Sequence, residues 1–253
     1  MDAIIFHSED LDGFSSASAF VKKFEIKNFI EKDKYLLDEN GEHLFIPMSY
    51  SDNSKALDII SQFDVDKVYI LDYLCSDYIE VIKNYDTTII DHHASTKEKL
   101  GSLDLDFGYV FDENHSAAYL TWDYLFQEVP EVVRYIEDFD IFKLEYIEET
   151  PFIQEYLSCL FNKTNSKILL ELVKLSEHFD KDKALSLGKI AFDKMVSTIF
   201  SSLETLNLIE LPSGETLYSV NAPSYQSQIG SLLLNRFEGP ILIYKIKELW
   251  RYL

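Results

Sequence analysis

Seven residues stand in three short polar runs, each directly after a short apolar run. His7, Asp10 and Asp12 follow AIIF, Asp72 follows VYIL, and Asp91, His92 and His93 follow TTII. Carboxylates crowded to this degree repel one another unless they protonate or cations bridge them. Oxygen ligands with a few imidazoles suit Mn²⁺, with Mg²⁺ or Fe²⁺ as substitutes. Neither Cys75 nor Cys159 falls in these runs, so a thiolate zinc site is excluded. Five or six ligands are too many for one octahedral ion that keeps positions open for substrate. Two ions about 3.5–4 Å apart, sharing one carboxylate, would use them all, activate water and stabilise a phosphorus transition state. Metal-dependent phosphoester hydrolysis is the chemistry this donor set predicts.

The elements that must position these residues are legible as hydrophobic patterns. Residues 3–6, 44–47, 68–71 and 87–90 read as strands, and residues 15–24, 54–63 and 77–84 as helices. Short apolar strands alternating with helices predict an α/β fold, a mostly parallel sheet with helices on both faces. In such sheets ligands bind beyond the carboxyl ends of the strands. If the strands that end at His7, Asp72 and Asp91 are neighbours, the three runs converge. From Ser116 the text turns helical, over 116–126, 131–142, 153–160, 167–175 and 184–206. Strands return at 208–211 and 216–220, around a turn at Pro212-Ser213-Gly214, followed by a helix over 227–237 and a strand at 241–244. The expected division is a catalytic domain over 1–145, a helical region and connector helix over 146–206, and a small partial α/β domain over 207–253.

Charge narrows the partners. With 23 Lys and Arg against 44 Asp and Glu, the formal net charge is −21. Duplex nucleic acid binds through phosphate neutralisation by Lys and Arg, so no extended duplex partner is expected. Bound divalent ions can reverse a local field, which leaves room for a short nucleotide or another phosphorylated small molecule. Two cysteines without metal or disulfide spacing fit a reducing cytoplasm. No basic segment with a long apolar run opens the chain, and no apolar run approaches the ~20 residues of a spanning helix. A cytoplasmic protein without membrane contact, with a homodimer as an assembly to test, is the expectation. The 18 Phe and 16 Tyr read mainly as core. Tyr50 and Tyr73, near strand ends, are the exceptions suited to stacking on a base.

Taken together, the motifs resemble the DHH phosphoesterase superfamily, which includes RecJ-type exonucleases and nanoRNA-degrading oligoribonucleases. His7-Ser-Glu-Asp10-Leu-Asp12-Gly13 matches H-x-x-D-x-D-G, Asp72 stands in ILDY, and Asp91-His92-His93 stand in IIDHHAS. A fourth motif is an acidic residue on a downstream helix, best matched by Asp140 in EDFDIF, with Asp138 as its rival. The resemblance covers about residues 1–145. It implies one ion on His7, Asp10 and Asp72 and another on Asp12, Asp72, His92 and Asp140. Asp91 would orient a histidine, and His93 would face the substrate phosphate or assist the leaving group. Ser116, in HSAAYL, falls where relatives often carry a Ser-Ala segment, and with the adjoining His115 it is a candidate substrate contact. His43 and His178 read as structural or exposed.

Asn221 and the helix after Ser224 resemble the start of the DHH-associated substrate domain. Relatives continue into a glycine-rich GGGH segment, absent here among only 8 Gly. The resemblance therefore implies a partial or truncated substrate domain. The expected function is a two-metal, Mn-dependent phosphoesterase acting on phosphodiester or phosphomonoester bonds of short nucleotides: oligoribonucleotides, cyclic dinucleotides or 3′,5′-bisphosphate nucleotides. Inorganic pyrophosphate or polyphosphate hydrolysis is an alternative, using Arg236, Lys245, Lys247 and Arg251 as anion contacts. A non-catalytic nucleotide-binding homologue is another.

Overall fold

The structure is a computed structural model and describes residues 1–50, 55–237 and 239–245. Ser54, Lys247 and Arg251, named above, lie outside the described residues. The chain forms two compact units, Met1–Gly188 and Lys189–Leu253.

The first unit runs β1 (Asp2–His7), α1 (Leu11–Lys23), β2 (Phe29–Glu31), β3 (Leu36–Asp38), β4 (His43–Met48), α2 (Ala56–Ile60) and β5 (Lys67–Leu71). It continues through α3 (Tyr78–Asn84), β6 (Asp86–Asp91), α4 (Ala94–Gly101), β7 (Gly108–Phe111), α5 (Ala117–Phe126) and α6 (Glu131–Asp140). Then come α7 (Thr150–Ser158), α8 (Asn165–Glu177) and α9 (Lys181–Leu203), the last crossing into the second unit.

Seven strands form one sheet in the order β2-β3-β4-β1-β5-β6-β7. β4, β1, β5, β6 and β7 are parallel, while β2 and β3 join antiparallel at one edge. The α/β expectation is met. The edge strands β2 and β7, and β3 beside β2, were not anticipated. At three or four residues each, they are too short for hydrophobic alternation to register, and they form because a neighbouring strand offers its backbone.

The alternation of strand side chains divides the apolar residues between two cores. Ile4, Phe6, Phe45, Leu71 and Ile90 pack on one face with α1, α5, α6 and α8. Ala3, Ile5, Leu44, Ile46, Val68, Ile70 and Ile89 pack on the other, with α2, α3 and α4. Strands sealed on both faces explain the near-continuous apolar runs in the sequence. The units meet at neither 145 nor 206. Ile153, Leu157, Ile168, Leu169, Leu172 and Ala184, on the helices after residue 145, are buried in the first of these cores. Gly188 lets α9 come close to α7, since a Cβ there would lie 1.8 Å from the Phe152 carbonyl oxygen.

The second unit holds β8 (Asn207–Glu210), β9 (Thr216–Asn221), α10 (Gln226–Leu234) and β10 (Ile241–Tyr244). β8 and β9 form the expected hairpin, with Gly214 at φ +87° in its turn, and β10 joins β9 in parallel. Its small core is Val220, Ala222, Ile229 and Leu233. Among the described residues, no helix is long and apolar enough to cross a membrane.

Candidate metal centre

β1, β5 and β6 are consecutive neighbours, with Phe6 paired to Leu71 and Leu71 to Ile90. Their carboxyl ends therefore lie side by side. β1 is flanked by β4 and β5, and the chain reverses its direction of travel across the sheet there. Such a switch point opens a crevice for a ligand. His7 closes β1, Asp72 follows β5, and Asp91 closes β6.

Local backbone demands account for the motif residues. Asp10 caps α1, its side chain accepting from the Gly13 N–H at 3.0 Å. A Cβ at Gly13 would lie 2.1 Å from the His7 carbonyl oxygen, so only glycine lets α1 start this close to β1. Asp72 has φ +55°, a left-handed conformation that aspartate adopts more readily than most residues. Strain of this kind persists where the surroundings over-determine the backbone, often at functional sites. The Asp72 N–H is held by the Ile90 carbonyl at 3.0 Å.

The side chains converge as three overlapping groups: His7, Asp10 and Asp72; Asp12, His92 and Asp140; and Asp72, Asp91, His92 and His93. His7 Nδ1 is 2.9 Å from Asp10 Oδ2 and 3.6 Å from Asp72 Oδ2. His92 Nε2 is 3.7 Å from Asp12 Oδ2, 3.5 Å from Asp72 Oδ1 and 3.4 Å from Asp140 Oδ2. Asp72 thus stands between the imidazoles of His7 and His92. His93 Nδ1 donates to Asp91 Oδ1 at 2.7 Å, which leaves its Nε2 toward the open side of a ring that is 41% exposed. Asp91 Oδ1 also accepts the backbone N–H groups of His92 and His93, at 2.7 and 3.1 Å.

Asp72 Oδ2, His92 Nε2 and Asp140 Oδ2 are buried and have no hydrogen-bond partner among the described residues. Asp91 Oδ2 is a fourth such atom in the cluster, and His43 Nδ1 and Tyr109 Oη are two more among the described residues. Buried polar atoms are satisfied in the great majority of cases, and four of these six belong to the one cluster. The electrostatics agree. Burial, with Asp10, Asp140 and Asp91 nearby, pushes Asp72 up to about 7. Burial and Asp12 push Asp140 up to about 7, and burial with the Asp72 charge raises Asp12. Burial acts downward on His7, but Asp10 and Asp72 outweigh it and raise the imidazole to about 10. The hydrogen bond to Asp91 raises His93 to about 9. Burial acts upward on Asp91, yet hydrogen bonds from His93 and Thr96 hold it below the ordinary carboxylate value. Among the described residues, no lysine or arginine forms an ion pair with any of these carboxylates. Five carboxylates and three imidazoles, four of them with a buried atom that has no partner among the described residues, fit oxygen- and nitrogen-liganded divalent cations.

Three residues read from the sequence take more definite places. Asp12 lies at the N-terminus of α5, its oxygens accepting the Ala117 and Ala118 N–H groups at 2.9 and 2.8 Å. Ser116, expected at the substrate, is fully buried and caps α5, accepting the Tyr119 N–H. It also hydrogen-bonds Asp12, so its work is to position that carboxylate. Of the two acids on α6, Asp140 is the one beside His92. Asp138 is buried and fully used, accepting from the Glu145 N–H at 2.6 Å and the Thr150 hydroxyl at 2.5 Å.

His115, the other expected substrate contact, is partly exposed and stacks on Tyr119. Its Nδ1 lies 2.6 Å from Oε1 of Glu137, a buried acid one helical turn before Asp140 that the sequence reading passed over. The spacing of 137 and 140 on one helix was its only signal. Tyr50 is 66% exposed and sets its ring edge-on to His7 at 5.1 Å. Tyr73 stacks on His7 at 5.9 Å but is buried. Phe139 and Phe142, exposed beside Asp140, were not singled out at all.

No protein-family model and no curated protein matches this sequence. Among solved structures, a chain described as the DHH domain of a member of the S1p family of ribosomal proteins is similar, with a TM-score of 0.48 and 14% identity over 97% of this chain and 71% of that one. So distant a likeness says nothing of chemistry, which rests on the side chains themselves.

Proposed function

We propose that this chain is a two-metal phosphoesterase, loaded with Mn²⁺, that hydrolyses phosphodiester or phosphomonoester bonds of short nucleotides. The observation that carries the reading is the cluster of Asp72, His92 and Asp140 at three strand and helix ends. His92 Nε2 lies 3.5 and 3.4 Å from the two carboxylates, and each of the three residues has a buried atom without a partner among the described residues. The order of motifs in the sequence supports it. His7, Asp10 and Asp72 would hold one ion, and Asp12, His92 and Asp140 the other, with Asp72 shared. Bound there, divalent ions supply Lewis acidity toward phosphoryl oxygens and make water nucleophilic near neutral pH.

The chain's own groups have separate tasks. Asp91 fixes the His93 tautomer by accepting from Nδ1, so that Nε2 faces the phosphoryl group or hands a proton to the departing oxygen. The α5 N-terminus orients Asp12. The sheet, sealed on both faces, keeps the ligands rigid. The test is metal analysis of the purified chain together with a Mn²⁺-dependent panel of dinucleotides, a cyclic dinucleotide, a 3′,5′-bisphosphate nucleotide and pyrophosphate. Turnover of at least one phosphoester, lost in Asp72→Ala, is the expected result. A folded protein that takes up no Mn²⁺ and leaves the whole panel intact would overturn the reading.

A further inference from the structure

Beside the carboxylate cluster lies a slot of about 110 Å³ lined by Asp10, Asp12 and Asp140, by Phe139 and Phe142, and by Gln154. A second cavity of about 190 Å³ shares Phe139 and Phe142 and continues past Leu144 and Ile147. These four apolar residues are exposed, Phe142 by 75%. The exposure is built rather than incidental. Phe142 and Leu144 sit at φ +51° and +58°, a region bulky side chains enter only when the surroundings compel it. The compulsion comes from Asp138. Its backbone oxygen accepts the Lys143 N–H at 3.1 Å, and its side chain accepts the Glu145 N–H. The loop is therefore pinned with Phe142 exposed beside Phe139 of α6, next to the carboxylates.

We propose that this shelf seats a flat ring of the substrate, esterified to the phosphoryl group, as a nucleobase is in a dinucleotide. The proposal rests on the phosphoesterase reading and names its substrate class. The shelf opens directly off Asp10, Asp12 and Asp140, so a group attached to a phosphoryl held there meets Phe139 and Phe142 as its neighbours. Neither cavity is lined by lysine or arginine among the described residues. Asp138 and Thr150, polar groups of the outer cavity, are bonded to each other. Recognition in the outer cavity is by ring faces, which tolerates any base, and Gln154 is the one uncharged polar side chain of the inner slot among the described residues. A ring-bearing phosphoester is thereby favoured over pyrophosphate or polyphosphate, which would need cations in place of rings.

The experiment measures equilibrium binding of a methylenephosphonate-linked adenosine dinucleotide to the Mn²⁺-loaded chain, together with steady-state kinetics on the hydrolysable dinucleotide. Phe142→Ala is expected to weaken binding about ten-fold and raise KM by a like factor, with kcat falling far less. Phe142→Tyr should restore binding, and Phe142→Leu should not. Undiminished affinity in Phe142→Ala, or equal affinity for a dinucleotide lacking its bases, would overturn the proposal. So would a change of molar mass by light scattering in Phe142→Ala with nucleotide affinity unaltered, because it would assign the face to a protein contact. Wild-type chain that binds the dinucleotide through Phe142 yet hydrolyses no phosphoester would defeat the phosphoesterase reading and leave the shelf standing.

Discussion

Two clusters of the same residue types occur in the first unit, and they differ in what their carboxylate oxygens do. Asp38, Glu42 and His43 lie within ligand distance of one another, as the Asp72 groups do. Asp38 is the buried acid there, and its Oδ1 accepts the backbone N–H groups of Glu42 and His43, each at 2.7 Å. Glu42 is exposed, and His43 stacks on Phe24 at 3.8 Å. That cluster is a turn held together by its carboxylate. At the strand ends, five carboxylates share a few imidazoles, and buried oxygens of Asp72 and Asp140 have no donor. Residue type and proximity are common to both. His43 Nδ1 is also buried without a hydrogen-bond partner among the described residues, but it stands beside a single buried carboxylate. Crowded carboxylates with unpartnered oxygens, and with no lysine or arginine paired to them among the described residues, belong to the strand ends, and they mark a place that an added cation would complete.

The largest effect should come from Asp72→Ala, which removes the carboxylate between the imidazoles of His7 and His92. Turnover should fall at least ~10³-fold and Mn²⁺ stoichiometry should drop, with the circular dichroism spectrum unchanged. Retained metal stoichiometry would show that Asp72 is no more a ligand than Asp38. Next comes His93→Gln, expected to cut turnover by roughly 10²-fold while the metal content stays at the wild-type value. Loss of metal instead would make His93 a ligand. At the other cluster, Asp38→Ala should leave Mn²⁺ binding intact and cost about 1 kcal/mol of stability, read by urea unfolding, because two partly buried N–H groups lose their acceptor. Gly13→Ala should cost ~1–3 kcal/mol by overpacking against His7, and should weaken metal binding as well, since the added methyl displaces a ligand-bearing strand end.

The smallest and most diagnostic effect is on the pH dependence of stability. In the metal-free fold, Asp72 and Asp140 keep protons up to about pH 7, against an ordinary value of 3.8. The folded chain then binds more protons than the unfolded one between those limits, so stability falls as pH rises through that window. His7 and His93, raised to about 10 and about 9 from 6.5, act in the same sense at higher pH. Their stabilisation is complete below about pH 6.5 and fades as pH climbs through their folded values. Metal-free chain should therefore show a Tm that declines from pH 5 to pH 9, and Mn²⁺ should flatten that slope by replacing protons. A slope indifferent to Mn²⁺ would remove the distinction between the clusters.

Much of this arrangement was legible in the linear text. Three apolar runs ending in Asp and His announced the strand ends, because a strand sealed on both faces must be apolar until it leaves the sheet. The H-x-x-D-x-D-G spacing announced the turn into α1, because Gly13 has no room for a side chain. The short strands β2, β3 and β7 were not legible, since three or four residues carry too little periodicity. Nor was the place of Ser116, because a serine before a helix reads alike whether it caps that helix or meets a ligand.

The identities of the charged residues and their positions at element ends were thus set by local rules: hydrophobic period, capping and steric allowance. Which acid on α6 reaches His92, why Asp138 instead pins a loop, and how Phe139 and Phe142 come to stand beside the carboxylates were settled by packing. Those outcomes depend on strand order and helix docking, which bring together side chains more than a hundred residues apart. Such contacts arise from non-local burial, and no pattern confined to neighbouring positions encodes them.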